Sequence, residues 1–266
     1  MNPPPSTSRL EYIVRDAWVG LGAASLIASG GWITSQHAHL MAMFYGGFIT
    51  FVYYATLHGI FSNNTLRNFL VGLGLLTLLS VLCLFEIRFS GLSNEHIRTR
   101  LILFVLSIPI AGFYLSPFGL QSMKFALRHV PLLKAPVIAF CWTMLTCFLP
   151  VLFGAPVLPV PMVVSRFLLI LGLAILADII DAFEDQGILI TVPSAMGIGR
   201  ARLIAIAFFI ASDAMLYAGG WLPWFLCVTP LALVPALWVR PPLATWKVLL
   251  VDGVSVFYFP LMYMIG

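Results

Sequence analysis

Four of the ten acidic residues in this chain stand within eight positions: Asp178, Asp181, Glu184 and Asp185. They follow directly on the hydrophobic run 167–177. A helix leaving a bilayer would carry them there. Carboxylates are costly beside hydrocarbon, so acids in such a place point to function. With about 100° of rotation per helical residue, Asp178, Asp181 and Asp185 share an arc of roughly 60°, while Glu184 points roughly 120° away. Three converging carboxylates repel one another unless a cation joins them. Hard oxygen ligands of this kind suit Mg²⁺, which one or two carboxylates commonly hold together with substrate phosphates.

The elements that position these acids must lie in a membrane. The chain is 61% hydrophobic and 9% charged, whereas soluble domains carry roughly 25% charged residues. Its 266 residues suffice for about nine spans with short connections. The expected fold is therefore all-α and polytopic, with spans near 13–34, 40–61, 68–87, 101–117, 135–153, 163–182, 202–219, 221–239 and 246–265. Residues 1–12 form a short Pro/Ser-rich tail without the order of a signal peptide. Residues 13–266 form one transmembrane domain. The basic residues are scattered at span ends, which argues against nucleic-acid binding. Cys83, Cys141, Cys147 and Cys227 lie in apolar runs without metal-type spacing, so they serve as small hydrophobes.

Lys and Arg prefer the cytoplasmic side of a membrane. With the N-terminus inside, the inner segments hold Arg9, Arg15, Arg67, Lys124, Arg128, Lys134, Arg200, Arg202, Arg240 and Lys247. The outer segments hold Arg88, Arg98, Arg100 and Arg166. Ten against four accounts for all fourteen basic residues. The expected placement is a multi-pass protein of the cell membrane, N-terminus cytoplasmic and C-terminus extracytoplasmic, with the acidic cluster on the cytoplasmic face.

The stretch Asp178–Arg202, DIIDAFEDQGILITVPSAMGIGRAR, resembles the second aspartate-rich motif of the UbiA superfamily of intramembrane prenyltransferases. Asp178, Asp181 and Asp185 fill its acidic positions, and Thr191-Val192-Pro193 and Gly197 its following turn. Val130–Pro150 resembles the Pro-x-x-Lys approach to the family's fifth helix, with Lys134 at the lysine and Ala135 where an Arg is usual. The region matching the family's first motif, Tyr53–Asn68, holds no acid. Asn63 and Asn64 stand there instead, with His58 nearby.

The resemblance implies a UbiA-like helical bundle around a central cavity and a Mg²⁺-dependent transfer of a polyisoprenoid group. The substrates would be a prenyl diphosphate and a lipid-soluble acceptor. Asp178, Asp181 and Asp185 would hold the metal and act in catalysis, neutralising the leaving group. Asn63, Asn64, Lys134, Lys124 and Arg128 would bind the diphosphate. The empty first motif favours a different reading: a non-catalytic relative that binds membrane lipids or serves as a subunit of a membrane complex. A carboxylate-lined transporter would call for acids deep in several spans, whereas these are concentrated at one end of a helix; Asp213 and Asp252, within spans seven and nine, are expected to face the bundle interior and hydrogen-bond to neighbouring helices.

Overall fold

The computed structural model of the protein describes residues 9–35, 40–57, 132–152, 156–183, 190–220, 232–238 and 253–258, with isolated residues between these stretches. Every regular element among them is helical. In chain order these are α1 (Arg9–Ser35), α2 (Leu40–Leu57), α3 (Lys134–Leu152), α4 (Val160–Ile180), a 3₁₀ turn (Asp181–Phe183), α5 (Val192–Met196) and α6 (Ile198–Ala218). Helical residues continue at 232–238 and 253–258.

The helices pair through small residues. On α1, Gly20 faces Gly47 of α2 so closely that a Cβ on Gly20 would stand 2.7 Å from the Gly47 carbonyl oxygen. A Cβ on Gly47 would in turn meet Ala24 at 3.2 Å. Small residues one turn apart let two backbones approach, which is how apolar helices gain dispersion contact in lipid. On α4, Gly172 leaves the space that the ring of Phe209 fills from α6. Phe209 is fully buried, with Leu169, Leu176 and Ile179 of α4 around it in the same core. The pairs Ser165–Ser212 and Gly172–Phe209 run in opposite senses along the two helices, so α4 and α6 are antiparallel.

Polar side chains in these helices bond within the protein, as an apolar surround demands. Thr50, Thr56, Thr143 and Thr146 donate to the carbonyl four residues earlier. Between helices, the Ser212 hydroxyl donates to the Ser165 carbonyl at 2.9 Å, and the two hydroxyl oxygens lie 2.9 Å apart. Prolines mark the start of α4, where a missing N–H costs nothing.

The expected nine-span bundle is not what the described residues form. Three helices are long and apolar enough to cross a membrane: 134–151, 160–180 and 198–218. The apolar part of α2, Leu40–Thr56, is shorter; at 1.5 Å per residue it reaches about 26 Å, less than the roughly 30 Å of a hydrocarbon core. Within α1, Arg9, Glu11, Arg15 and Asp16 crowd the first turns and dilute its hydrophobicity. The expected spans 68–87 and 101–117 fall almost wholly outside the described residues. What stands is the coarser statement: the chain carries several long apolar helices, as a multi-pass membrane protein does.

Candidate functional site

The chemistry-bearing residues that meet are Lys134, Asp178 and Asp181. Lys134 opens α3 and Asp178 lies in the last turn of α4. The Lys134 Nζ is 2.9 Å from Asp178 Oδ1 and 3.9 Å from Asp181 Oδ2. Asp178 is almost fully enclosed at 2% exposure, Lys134 keeps 15%, and Asp181 keeps 29%. With α3 and α4 joined by the short connection 153–159, this bridge at their far ends makes them antiparallel. One ammonium thus faces two carboxylates.

The helix dipoles do not favour this arrangement. A helix C-terminus repels carboxylates and an N-terminus repels a cation. Asp178 and Asp181 sit at the C-terminal end of α4 and Lys134 at the N-terminal end of α3. Each charge is at the unfavourable end of its own helix and is held there by the other.

The backbone around Lys134 is built to deliver it. Leu132 adopts φ 63°, a left-handed conformation that costs an L-residue roughly 1–2 kcal/mol. Its N–H donates to the Ile190 carbonyl at 2.9 Å, tying the approach to α3 onto the segment before α5. That segment is fixed in turn. The Thr191 N–H donates to Ser194 Oγ at 2.8 Å, and the Ser194 hydroxyl donates back to the Thr191 carbonyl at 2.9 Å. Gly197, at φ 83°, turns the chain into α6. The Thr191-Val192-Pro193 and Gly197 pattern therefore caps and turns helices here.

The geometry corrects several expectations. The shared face of Asp178, Asp181 and Asp185 required one continuous α-helix, but α4 ends at Ile180 and tightens into the 3₁₀ turn Asp181–Phe183. Asp178 and Asp181 do converge, and the cation between them is the Lys134 ammonium. Among the described residues no group of three or more His, Cys, Asp or Glu could hold a metal. Asp185, Asn63, Asn64, Lys124, Arg128, His58 and Asp252 lie outside the described residues. Arg166, expected in an outer connection, is instead the seventh residue of α4 and is buried at 2% exposure.

Two further acids are buried among the described residues, of which Asp213 agrees with its expected place inside a span. Asp16 of α1 is fully buried, and Asp213 of α6 is 6% exposed. Their signal in the sequence is faint: a lone Arg or Asp inside an apolar run. Asp16 is further hidden by its charged neighbour Arg15.

Compared with known proteins, the chain matches no family model, no curated protein and no solved structure. The resemblance to the UbiA superfamily thus rests on two short motifs. The described helices form no nine-span bundle, and Lys134 occupies the place between the two carboxylates that the resemblance gave to a metal. The Mg²⁺-dependent prenyltransferase reading, and with it the non-catalytic UbiA-like alternative, does not stand.

Proposed function

We propose that this chain is a multi-pass membrane carrier that binds a proton or monovalent cation at the Lys134–Asp178–Asp181 group and couples that binding to movement of a solute. The observation that carries this reading is the Asp178 carboxylate, 2% exposed and paired at 2.9 Å to Lys134, with a second carboxylate, Asp181, 3.9 Å from the same ammonium. A proton on Asp178 would cancel its attraction for Lys134. The ammonium would then turn to Asp181, and the tie between α3 and α4 would loosen. A buried pair that one proton can open is a two-state element of the kind coupling requires.

Buried ionisable residues within a helical bundle commonly line ion or substrate pathways. Here they are spread over several helices: Asp16 on α1, Arg166 and Asp178 on α4, and Asp213 on α6. That spread suits transport better than a single reaction centre. Lys134, Arg200 and Arg202 lie at the starts of α3 and α6, and the preference of basic residues for the cytoplasmic side favours that face for the Lys134–Asp178 group.

The test is proton movement in liposomes. The full chain is reconstituted with a trapped pH-sensitive dye, and a pH gradient is challenged with Na⁺, K⁺ or choline salts. Cation-dependent dissipation is expected for the parent, loss of it for Asp178→Asn and Lys134→Met, and a weaker response for Asp181→Asn. No flux above protein-free liposomes with any cation, or full flux in Lys134→Met, would sink the reading.

A further inference from the structure

We infer that Arg166 is the recognition group for a small monocarboxylate bound inside the helical bundle, at the end opposite Lys134. Twelve residues of α4 separate Arg166 from Asp178, about 18 Å of helix. The site is thus distinct from the ion-pair group.

Arg166 is 2% exposed. Its Nη2 donates to the Ser29 hydroxyl oxygen of α1 at 2.8 Å. Ser29 is poised as the acceptor, because its own proton goes to the Leu26 carbonyl at 2.8 Å. The guanidinium carbon stands 4.9 Å from the ring centroid of Tyr258. A hydroxyl on one side and an aromatic face on the other fix the plane of the group. Neither neutralises it. Nη1 is buried and has no hydrogen-bond partner among the described residues. Of the guanidinium's five N–H donors, one is given to Ser29 and the two on Nη1 meet no partner among the described residues.

A buried cation is strongly unfavourable without a counter-charge, more so where lipid surrounds the bundle, and none stands beside Arg166 among the described residues. The guanidinium is oriented by Ser29 and Tyr258, and its unpartnered Nη1 donors suit a planar two-oxygen anion. Charge matching decides the class. A single positive charge neutralises one carboxylate, whereas a phosphate dianion would leave negative charge in the low dielectric.

Equilibrium binding to the full chain in lipid nanodiscs tests this, with acetate, benzoate and inorganic phosphate as probes at matched chloride strength. Thermal shift and line broadening of ¹³C-acetate are the readouts. Saturable stabilisation by acetate or benzoate is expected for the parent. Arg166→Lys should weaken it at least tenfold, and Arg166→Gln should abolish it. Ser29→Ala, which frees the guanidinium to swing, should weaken it severalfold. Lys134→Met should leave it unchanged, so a failure of proton coupling and a failure here are separable. Should Arg166→Gln not fold, the Lys variant carries the comparison. No saturable response in the parent would mean that an acid of the chain itself neutralises Arg166, and would overturn the proposal. So would equal affinity in Arg166→Lys, or a response to phosphate alone.

Discussion

Replacing Lys134 by Met removes the ammonium from between Asp178 and Asp181 while keeping a side chain of similar length. The gross attraction lost can be scaled from the two distances, 2.9 Å and 3.9 Å. At an effective dielectric of about 20 these correspond to about 6 and 4 kcal/mol before any desolvation is counted. Net effects are smaller. Removing one partner of a buried pair typically costs about 3–5 kcal/mol, because the other charge is stranded. Asp178 is the stranded charge here, and at 2% exposure it has little recourse to solvent. At about 2–4 °C per kcal/mol for a chain of this size, the melting temperature should fall by on the order of 10 °C. Asp178→Asn strands Lys134 instead. That side chain is 15% exposed and keeps Asp181 within 3.9 Å, so the loss should lie below the same range. Replacing both partners, Lys134→Met with Asp178→Leu, should recover most of the stability. The assay is thermal unfolding in a mild detergent, read by retention of a monodisperse peak. If Lys134→Met melts within about 2 °C of the parent, or if Asp181→Asn costs more than Asp178→Asn, the pair is not the tie between α3 and α4.

Three further outcomes follow from the same geometry. Gly172→Leu must displace the ring of Phe209 and should cost about 1–3 kcal/mol by overpacking; Phe209→Ala should cost about 3–5 kcal/mol, and pairing Gly172→Leu with Phe209→Ala should lose less than the sum, all measured by thermal unfolding. Leu132→Gly should raise stability by about 0.5–1 kcal/mol, because the left-handed backbone is retained without its Cβ penalty and the lost side chain is 40% exposed; a drop in melting temperature would show that the side chain itself is needed. Millimolar Mg²⁺ should leave the melting temperature of the parent unchanged and raise that of Lys134→Met, in which the ammonium no longer stands beside Asp178 and Asp181; stabilisation of the parent to the same extent would show that Lys134 does not fill the cation's place.

The membrane character, the helical class and the approximate positions of five helices were legible in the composition and in the apolar runs. Those signals are averages over about 20 residues and survive local exceptions. The expected spans 135–153, 163–182 and 202–219 fall within a few residues of α3, α4 and α6. The site was legible by halves. Lys134, Asp178 and Asp181 were all singled out, and they do meet. Their relation was not legible, because a motif read along one strand of sequence says nothing about which residue from another helix arrives between two acids. The continuous helix expected under Asp178 and Asp181 ends at Ile180, because nothing in the local sequence announces that α4 tightens into a 3₁₀ turn there. Arg166 was misplaced for a related reason. A lone Arg seven residues into an apolar helix reads as the end of a span until a hydroxyl and an aromatic ring from distant parts of the chain are seen to receive it.

The two charged sites stand in different physical relations to the bundle. At the Lys134 end, charges of both signs meet, both helix dipoles oppose them, and the approach residue Leu132 holds a left-handed backbone. Each of those features costs stability, and none is needed to join two apolar helices, which Gly20, Gly47 and Gly172 show can be done with small residues alone. At the Arg166 end the cost is of another kind. The cation is held in place by Ser29 and Tyr258, and no counter-ion to it stands among the described residues. A fold that needed only cohesion could replace all of these residues by Leu, since well-packed apolar side chains of similar volume often match or exceed a buried ion pair in stability. Retaining costly charge at two levels of one helix, about 18 Å apart, is the pattern of a bundle that must exchange charge with something that enters it. That argument depends on Asp178 and Arg166 being enclosed, and it loses its force if accessibility probes of Asp178→Cys and Arg166→Cys react as freely as a cysteine at exposed Arg200.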